Sequence, residues 1–294
     1  MTMEGRMQWS QGETWYRIVG DLDAGPTPVL ILHGGPGGAH DYVEPIADLA
    51  ERGRGCVLYD QLGCGRSEHR PDAPAEFWSP QLFKDELVEL TRKLGIADRY
   101  VLVGQSWGGM LALEHALDRP AGLRAIVVAD SPASIPLWVA EADRLRAGLP
   151  SDVQETLTRH EEAGTTDDPE YEQAMRVYYD RHVCRIPWPE CLERTFAQLA
   201  ADPTVYHTMN GPSEFHCIGS LRTWDITDRL HEIKTPTLLL SGRYDEATPH
   251  IVEQIHTRIP GAQWQLFEQS SHTPHLEEPE AFLAAVEAFL VTID

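Results

Sequence analysis

Long apolar runs are missing from this 294-residue sequence. No stretch of about 18 uninterrupted hydrophobic residues occurs, so no membrane span is expected. The opening segment, MTMEGRMQWSQGETW, lacks the apolar centre of a secretory signal, and the cytoplasm is the expected compartment. Cysteine is scarce and odd in number: Cys56, Cys64, Cys184, Cys191 and Cys217, with no C-x-x-C spacing. That argues against a disulfide framework or a zinc site and suits free thiols in a reducing compartment. Positive charge is short as well. The 24 Lys and Arg residues face 46 Asp and Glu, a formal net charge of -22, which would repel nucleic-acid phosphates and weakly favour cationic ligands. No H-E-x-x-H or similar cluster asks for a metal. The lysine of a phosphate-binding loop is absent after HGGPGG, and QLGCGRS leaves the dinucleotide fingerprint incomplete. Neither a metal nor a cofactor is therefore expected. Internal repeats and low-complexity tracts are also lacking.

What remains is ordinary globular composition, 42% hydrophobic and 24% charged, in a chain long enough to bury a sizeable core. PVLILHG (28–34), CVLYDQ (56–61), YVLVG (100–104) and AIVVAD (125–130) are continuous apolar runs, the signature of strands buried on both faces of a parallel sheet. Between them, DYVEPIADLAERG and SPQLFKDELVELTRKLG space their apolar residues as helices do. The second opens on Ser79-Pro80, a cap followed by proline at the first helical position. Residues 133–230 carry no comparable strand run and read as a mostly helical insertion. Strand signals return at TPTLLLSG (235–242) and QWQLFE (263–268), and EPEAFLAAVEAFL closes the chain as a helix. The expectation is an α/β fold with helices on both faces of the sheet, its core formed by 1–132 and 231–294 and a helical cap by 133–230.

The sharpest feature is YVLVGQSWGGMLALEHAL. Gly104-Gln105-Ser106-Trp107-Gly108 matches G-x-S-x-G between a strand and a helix, the context that exposes a serine nucleophile on a strained turn. A serine hydroxyl needs a base, and this architecture places an acid and then a histidine downstream. Asp245 follows TPTLLLSG and His272 follows QWQLFE, so both belong at the carboxyl ends of strands, where Ser106 also sits. Asp225 and Asp228 are rivals for the acid, but only Asp245 and Glu246 directly follow a strong strand. His275 is the rival base; His272 comes first after FEQSS, whereas PHLEEPEAF looks like the approach to the last helix. His272 would then deprotonate Ser106 and reprotonate the leaving group, with Asp245 orienting the ring. The glycine loop His33–Gly38 lets backbone N–H groups approach an oxyanion, and Gly35 and Trp107 are the expected donors.

Together HGGPGG, YDQLGCGRS, GQSWGG, MNGPSEF, WDITDRLHEIKTPTLLLSGRYDEATP and SSHTPHLEEPEAF resemble the proline iminopeptidase (prolyl aminopeptidase) family of α/β-hydrolases over nearly the whole chain. Within it they look especially like the archaeal tricorn-interacting aminopeptidases. The resemblance implies an α/β-hydrolase fold and release of an N-terminal residue, often proline, from a short peptide or aminoacyl amide. It also implies that Glu214 in NGPSEF and Glu246 in RYDEATP hold the substrate's free α-amino group. A monomer is expected. The alternatives are an amino-acid amidase or carboxylesterase on the same machinery, or a binding protein without turnover. The last would be expected to show a degraded triad. A dehalogenase would carry aspartate at position 106.

Overall fold

Two strands precede those the apolar runs announce. β1 (Thr2–Trp9) and β2 (Gly12–Val19) pair antiparallel as a hairpin whose last partners are Trp9 and Gly12. Their mixed polar and apolar residues hid them, because β1 is an edge strand with most of its residues exposed. The apolar runs form β3 (Val29–Leu32), β4 (Cys56–Tyr59), β5 (Tyr100–Gln105), β6 (Leu123–Ala129) and β7 (Thr237–Gly242), and the strand signal at QWQLFE forms β8 (Gln263–Phe267). Every residue of β3, β4, β5 and β7 is buried. The computed structural model describes residues 2–23 and 25–294, so the expected core range 1–132 includes two positions, 1 and 24, outside the described residues.

The sheet runs β1-β2-β4-β3-β5-β6-β7-β8. It is parallel from β4 to β8 and antiparallel only at the β1–β2 and β2–β4 pairs. Helices cover both faces. α1 (Pro80–Lys93) begins as anticipated, with the Ser79 hydroxyl accepting from Leu82 N at 3.4 Å and Pro80 in the first turn. α1, α2 (Trp107–Leu117) and, later in the chain, a helix at Pro249–His256 contribute Leu87, Leu111 and Ile251 to the core on one face. The helical segment expected near residue 41 is a 3₁₀ run, His40–Arg52, with Pro45 inside it. It packs with the chain-closing helix on the other face, through Val43, Ile46, Phe282 and Val286.

Between β6 and β7 come α3 (Ile135–Arg146), α4 (Ser151–Ala163), α5 (Pro169–His182), α6 (Glu190–Ala201) and α7 (Thr204–Met209). Among the described residues this stretch adds only an isolated bridge, Ser134 to Asp225, to the strand pairing. Its helices share an apolar cluster of their own, with Leu157, Tyr171, Tyr178 and Phe215 at its centre. α6 is tied down to the 40–52 run, where Arg194 and Gln198 reach Asp41 at 2.9 and 2.8 Å and Tyr42 N donates to Thr195 Oγ1. α8 (Pro249–His256) follows β7. α9 (Pro274–Glu277) and α10 (Pro279–Val291) follow β8.

Candidate active site

The carboxyl ends of β3, β5, β6, β7 and β8 lie side by side, and each feeds a loop at the same sheet edge. Ser106 is the first residue past β5. Its φ of 56° and ψ of -122° put a non-glycine residue in a strained conformation, held because Ser106 N donates to Ala129 O at 2.8 Å while its carbonyl accepts from Gly109 N. The flanking glycines are required by space. A Cβ at Gly104 would lie 2.2 Å from Gly108 O, and one at Gly108 would lie 2.1 Å from Leu32 O. The turn thus sets Ser106 at the amino end of α2, where unpaired backbone N–H groups concentrate partial positive charge.

Beyond β7 and β8, Asp245 and His272 meet. His272 Nδ1 donates to Asp245 Oδ1 at 2.7 Å, and Ala247 N donates to the same oxygen at 2.8 Å. A carboxylate can only accept, so Nδ1 carries the proton and Nε2 is the basic nitrogen. Burial alone would lower the His272 pKa, but the carboxylates of Asp245, Glu214 and Glu277 outweigh it and hold the ring above its ordinary value of 6.5. Ser106 and His272 line one cavity. No hydrogen bond joins their side chains in this conformation, a contact that generally tightens only around bound substrate.

The rivals stand elsewhere. His275, in α9, donates from Nε2 to Tyr42 O at 3.0 Å, and burial pushes its pKa down to about 3, so it is a neutral core histidine. Asp225 accepts from Ser134 Oγ and lines a separate, polar pocket with Asp228.

The glycine loop sits against the serine: a Cβ at Gly34 would be 3.0 Å from Ser106 Cβ. Gly34 N is committed to the Tyr42 hydroxyl at 2.7 Å. Of the expected pair of donors, Gly35 lines the cavity with Ser106, and Trp107 directly follows the serine as the first residue of α2. The sequence did not reveal the residues that brace this arrangement. Tyr42 OH donates to Gln105 Oε1, and Gln105 Nε2 donates to His272 O at 2.8 Å. Gln61 N donates to His33 Nε2, while Gln61 Oε1 accepts from Trp107 Nε1 at 2.8 Å. The co-occurrence of HGGPGG, YDQ and GQSW was the available signal, since each motif supplies at least one partner in this network.

Two further acids converge there. Glu214, in the loop after α7, lines the cavity; its Oε1 accepts from Tyr206 OH at 2.7 Å and its backbone carbonyl from Trp138 Nε1. Trp138, missed in the sequence, also packs edge-on against the His272 ring. Glu246 lies just behind the cavity wall, with no exposed surface and Oε1 3.9 Å from His272 Nε2. Neither of its oxygens accepts a hydrogen bond. Burial, then the charges of Glu214 and Asp245, push the Glu246 pKa well up; the Tyr178 hydroxyl is near enough to oppose this without forming a hydrogen bond of ordinary geometry. Burial also raises Glu214, with His272 and Tyr206 opposing.

The cavity holds about 660 Å³ and runs from Ser106 between α5 and α6, past Tyr179 and Phe196. An elbow serine, an Asp-paired histidine and a glycine loop at one edge of a mostly parallel sheet are the parts of a hydrolase of the α/β class. The alpha/beta hydrolase fold family matches residues 27–279. A proline iminopeptidase of Saccharolobus solfataricus is 39% identical over 263 residues, 89% of this chain and 84% of that protein. The crystal structure of a proline iminopeptidase from Mycobacterium smegmatis superposes with a TM-score of 0.91 at 47% identity, covering 99% of this chain and 98% of the other. That of VinJ does so at 0.98 and 53% identity, covering 99% of both. The chain therefore belongs to the proline iminopeptidase family within the alpha/beta hydrolase fold.

Proposed function

We propose that this chain is a serine aminopeptidase that releases an N-terminal residue, preferably proline, from short peptides or aminoacyl amides. The observation that carries this reading is the pair of acids beside His272, Glu246 fully buried and Glu214 half-buried at the cavity wall. Glu246 has two unpartnered oxygens, Glu214 stands at the cavity wall, and no Lys or Arg among the described residues pairs with either. Two neighbouring carboxyl groups here can both ionise only beside a cation, and a substrate ammonium supplies it. Holding that ammonium beside the serine leaves room for one residue before the scissile bond. The named relatives support proline as that residue.

Ser106 Oγ attacks the carbonyl carbon of the N-terminal residue as His272 Nε2 takes the hydroxyl proton. Asp245 keeps Nδ1–H in place and stabilises the imidazolium. The Gly35 and Trp107 N–H groups hold the developing oxyanion. His272 then protonates the departing amine as the C–N bond breaks, leaving an acyl-enzyme that water cleaves by the reverse sequence. The helices of residues 133–230 act as the cap that carries Glu214 and closes the cavity from above the sheet edge. The five unpaired cysteines support a cytoplasmic setting.

The test is a comparison of substrates. Ser106→Ala should abolish hydrolysis of prolyl and alanyl anilides. Glu214→Gln and Glu246→Gln should lower kcat/KM for these free-amine substrates by roughly 150- to 5,000-fold, the size expected when a buried pair loses one partner, while sparing N-blocked esters. Equal loss on both substrates would remove the amine-binding role and leave an esterase or amidase.

A further inference from the structure

Behind Asp245 stands a second carboxyl group that the hydrolytic scheme does not use. Asp130 is the first residue past β6 and is completely buried. Its φ of 53° places a non-glycine residue in the left-handed region, so the fold sustains some strain to keep it there. The backbone is pinned by Asp130 N donating to Leu240 O at 2.9 Å, and Oδ1 accepts from Gly242 N at 3.2 Å, both on neighbouring β7. That leaves Asp130 Oδ2 without a donor, and Asp245 Oδ2 is unpartnered as well. The two carboxyl groups are within hydrogen-bonding reach of each other.

Two anions cannot share so dry a site, and one proton between them resolves the conflict. Asp245 is the better place for the charge, because Oδ1 already accepts from His272 Nδ1 and Ala247 N, whereas Asp130 accepts one longer bond. Burial and the Asp245 charge, with Glu277 of α9 adding to them, drive Asp130 strongly towards its neutral form, in the same sense as the geometry.

We propose that Asp130 is a positioning residue of the hydrolytic machinery, a neutral carboxylic acid that donates its proton to Asp245 Oδ2 and so extends the chain Ser106–His272–Asp245 by a fourth member. One oxygen of Asp245 then faces the imidazole and the other is satisfied from behind, which fixes the carboxylate plane and keeps a single negative charge next to His272. This rests on the reading of Ser106, Asp245 and His272 as the catalytic triad.

Asparagine at position 130 keeps a donor towards Asp245 and an acceptor for Gly242 N, and it tolerates positive φ; alanine keeps neither. Asp130→Asn should retain kcat within about threefold and leave the acid limb of the pH profile in place. Asp130→Ala should lower kcat by roughly 10–100-fold, the usual cost of removing an outer partner of a functional group, with KM little changed. It should also move the acid limb of kcat/KM to higher pH, since an Asp245 carboxylate deprived of its donor holds the imidazolium more tightly. Independently of activity, difference infrared spectra at pH 8 should show the carbonyl band of a protonated carboxylic acid in the wild type and its loss in Asp130→Asn. This second readout stands even where the alanine variant fails to fold. Overturning results are the absence of that band loss, an Asp130→Asn variant as impaired as Asp130→Ala, or an alanine variant with wild-type kcat and limb. If Ser106→Ala still hydrolyses substrate, the triad reading falls while the infrared band continues to report on Asp130. If Ser106→Ala is inert and no band is lost, the Asp130 proposal falls alone.

Discussion

His272 sits among more negative charge than its proposed base role alone requires. Asp245 lies on the loop beyond β7, Glu277 ends α9 beyond β8 and Glu214 stands at the cavity wall, so the protonated ring is favoured. A raised pKa means that the basic form becomes available only at higher pH. For an N-blocked ester, whose own charge does not change, kcat/KM should therefore fall as pH drops through a value above 6.5; a limb at or below 6.5 would contradict the assignment. Glu246 shows the companion effect on stability. Its folded pKa lies well above the ordinary 4.5, so the folded chain binds the proton more tightly than the unfolded one. That contribution is fully present below 4.5 and is lost as pH rises through the folded value. Glu246→Gln, neutral at every pH, should raise Tm at pH 8 by about 2–4 °C for each kcal/mol relieved, while impairing free-amine substrates. Thermal scans at pH 5 and 8 check the sign, since the gain should shrink at the lower pH.

At the scale of elements, the strand–serine–helix turn works because β3, β5 and α2 approach without side chains between them. A Cβ at Gly108 would meet Leu32 O at 2.1 Å, a backbone atom that cannot step aside. Gly108→Ala should push α2 away from the end of β3, from which the Gly34–Gly35 loop departs. The expected cost is about 1–3 kcal/mol of unfolding free energy, typical of overpacking. A loss of up to about 100-fold in kcat should accompany it, as small displacements of reacting groups produce. Urea unfolding measured beside single-turnover kinetics separates the two effects. The elements themselves were legible to different degrees. β3 to β7 announced themselves as apolar runs, since strands buried on both faces have no polar alternation, whereas β8, at the sheet edge, alternates polar and apolar residues. The β1–β2 hairpin gave no such run, because its edge faces solvent. The segment 40–52 had helical periodicity, yet it winds as 3₁₀ around Pro45, a distinction that side-chain spacing does not encode.

For the whole molecule, the excess of 46 acidic over 24 basic residues surrounds a site proposed to bind a cation. Long-range attraction should raise the encounter rate of cationic substrates and be screened by salt, the Debye length shrinking to about 3 Å at 1 M. kcat/KM for an aminoacyl anilide should consequently fall between low and high ionic strength, while that for an N-blocked neutral ester stays flat. Parallel salt dependences would place the discrimination elsewhere. The inserted helices extend the same logic. Glu214 reaches the cavity from the loop after α7, whereas Glu246 and Asp245 arrive from the loop after β7, so the proposed amine site assembles only when insertion and sheet edge are packed together.

The order of strands and helices, the serine elbow and the downstream acid and histidine were determined by local pattern. Burial on both faces writes continuous apolar runs, and a sharp turn admits only glycine at Gly104 and Gly108. Tertiary structure alone decided what surrounds them. Tyr42, Gln61, Gln105 and Trp138 brace the site through hydrogen bonds between residues up to 167 positions apart, and Asp130 becomes a neighbour of Asp245 only because β6 and β7 lie side by side in the sheet. Such contacts depend on distances across the fold, and a linear chain carries no local signal for a carboxyl group that matters because of the one it faces.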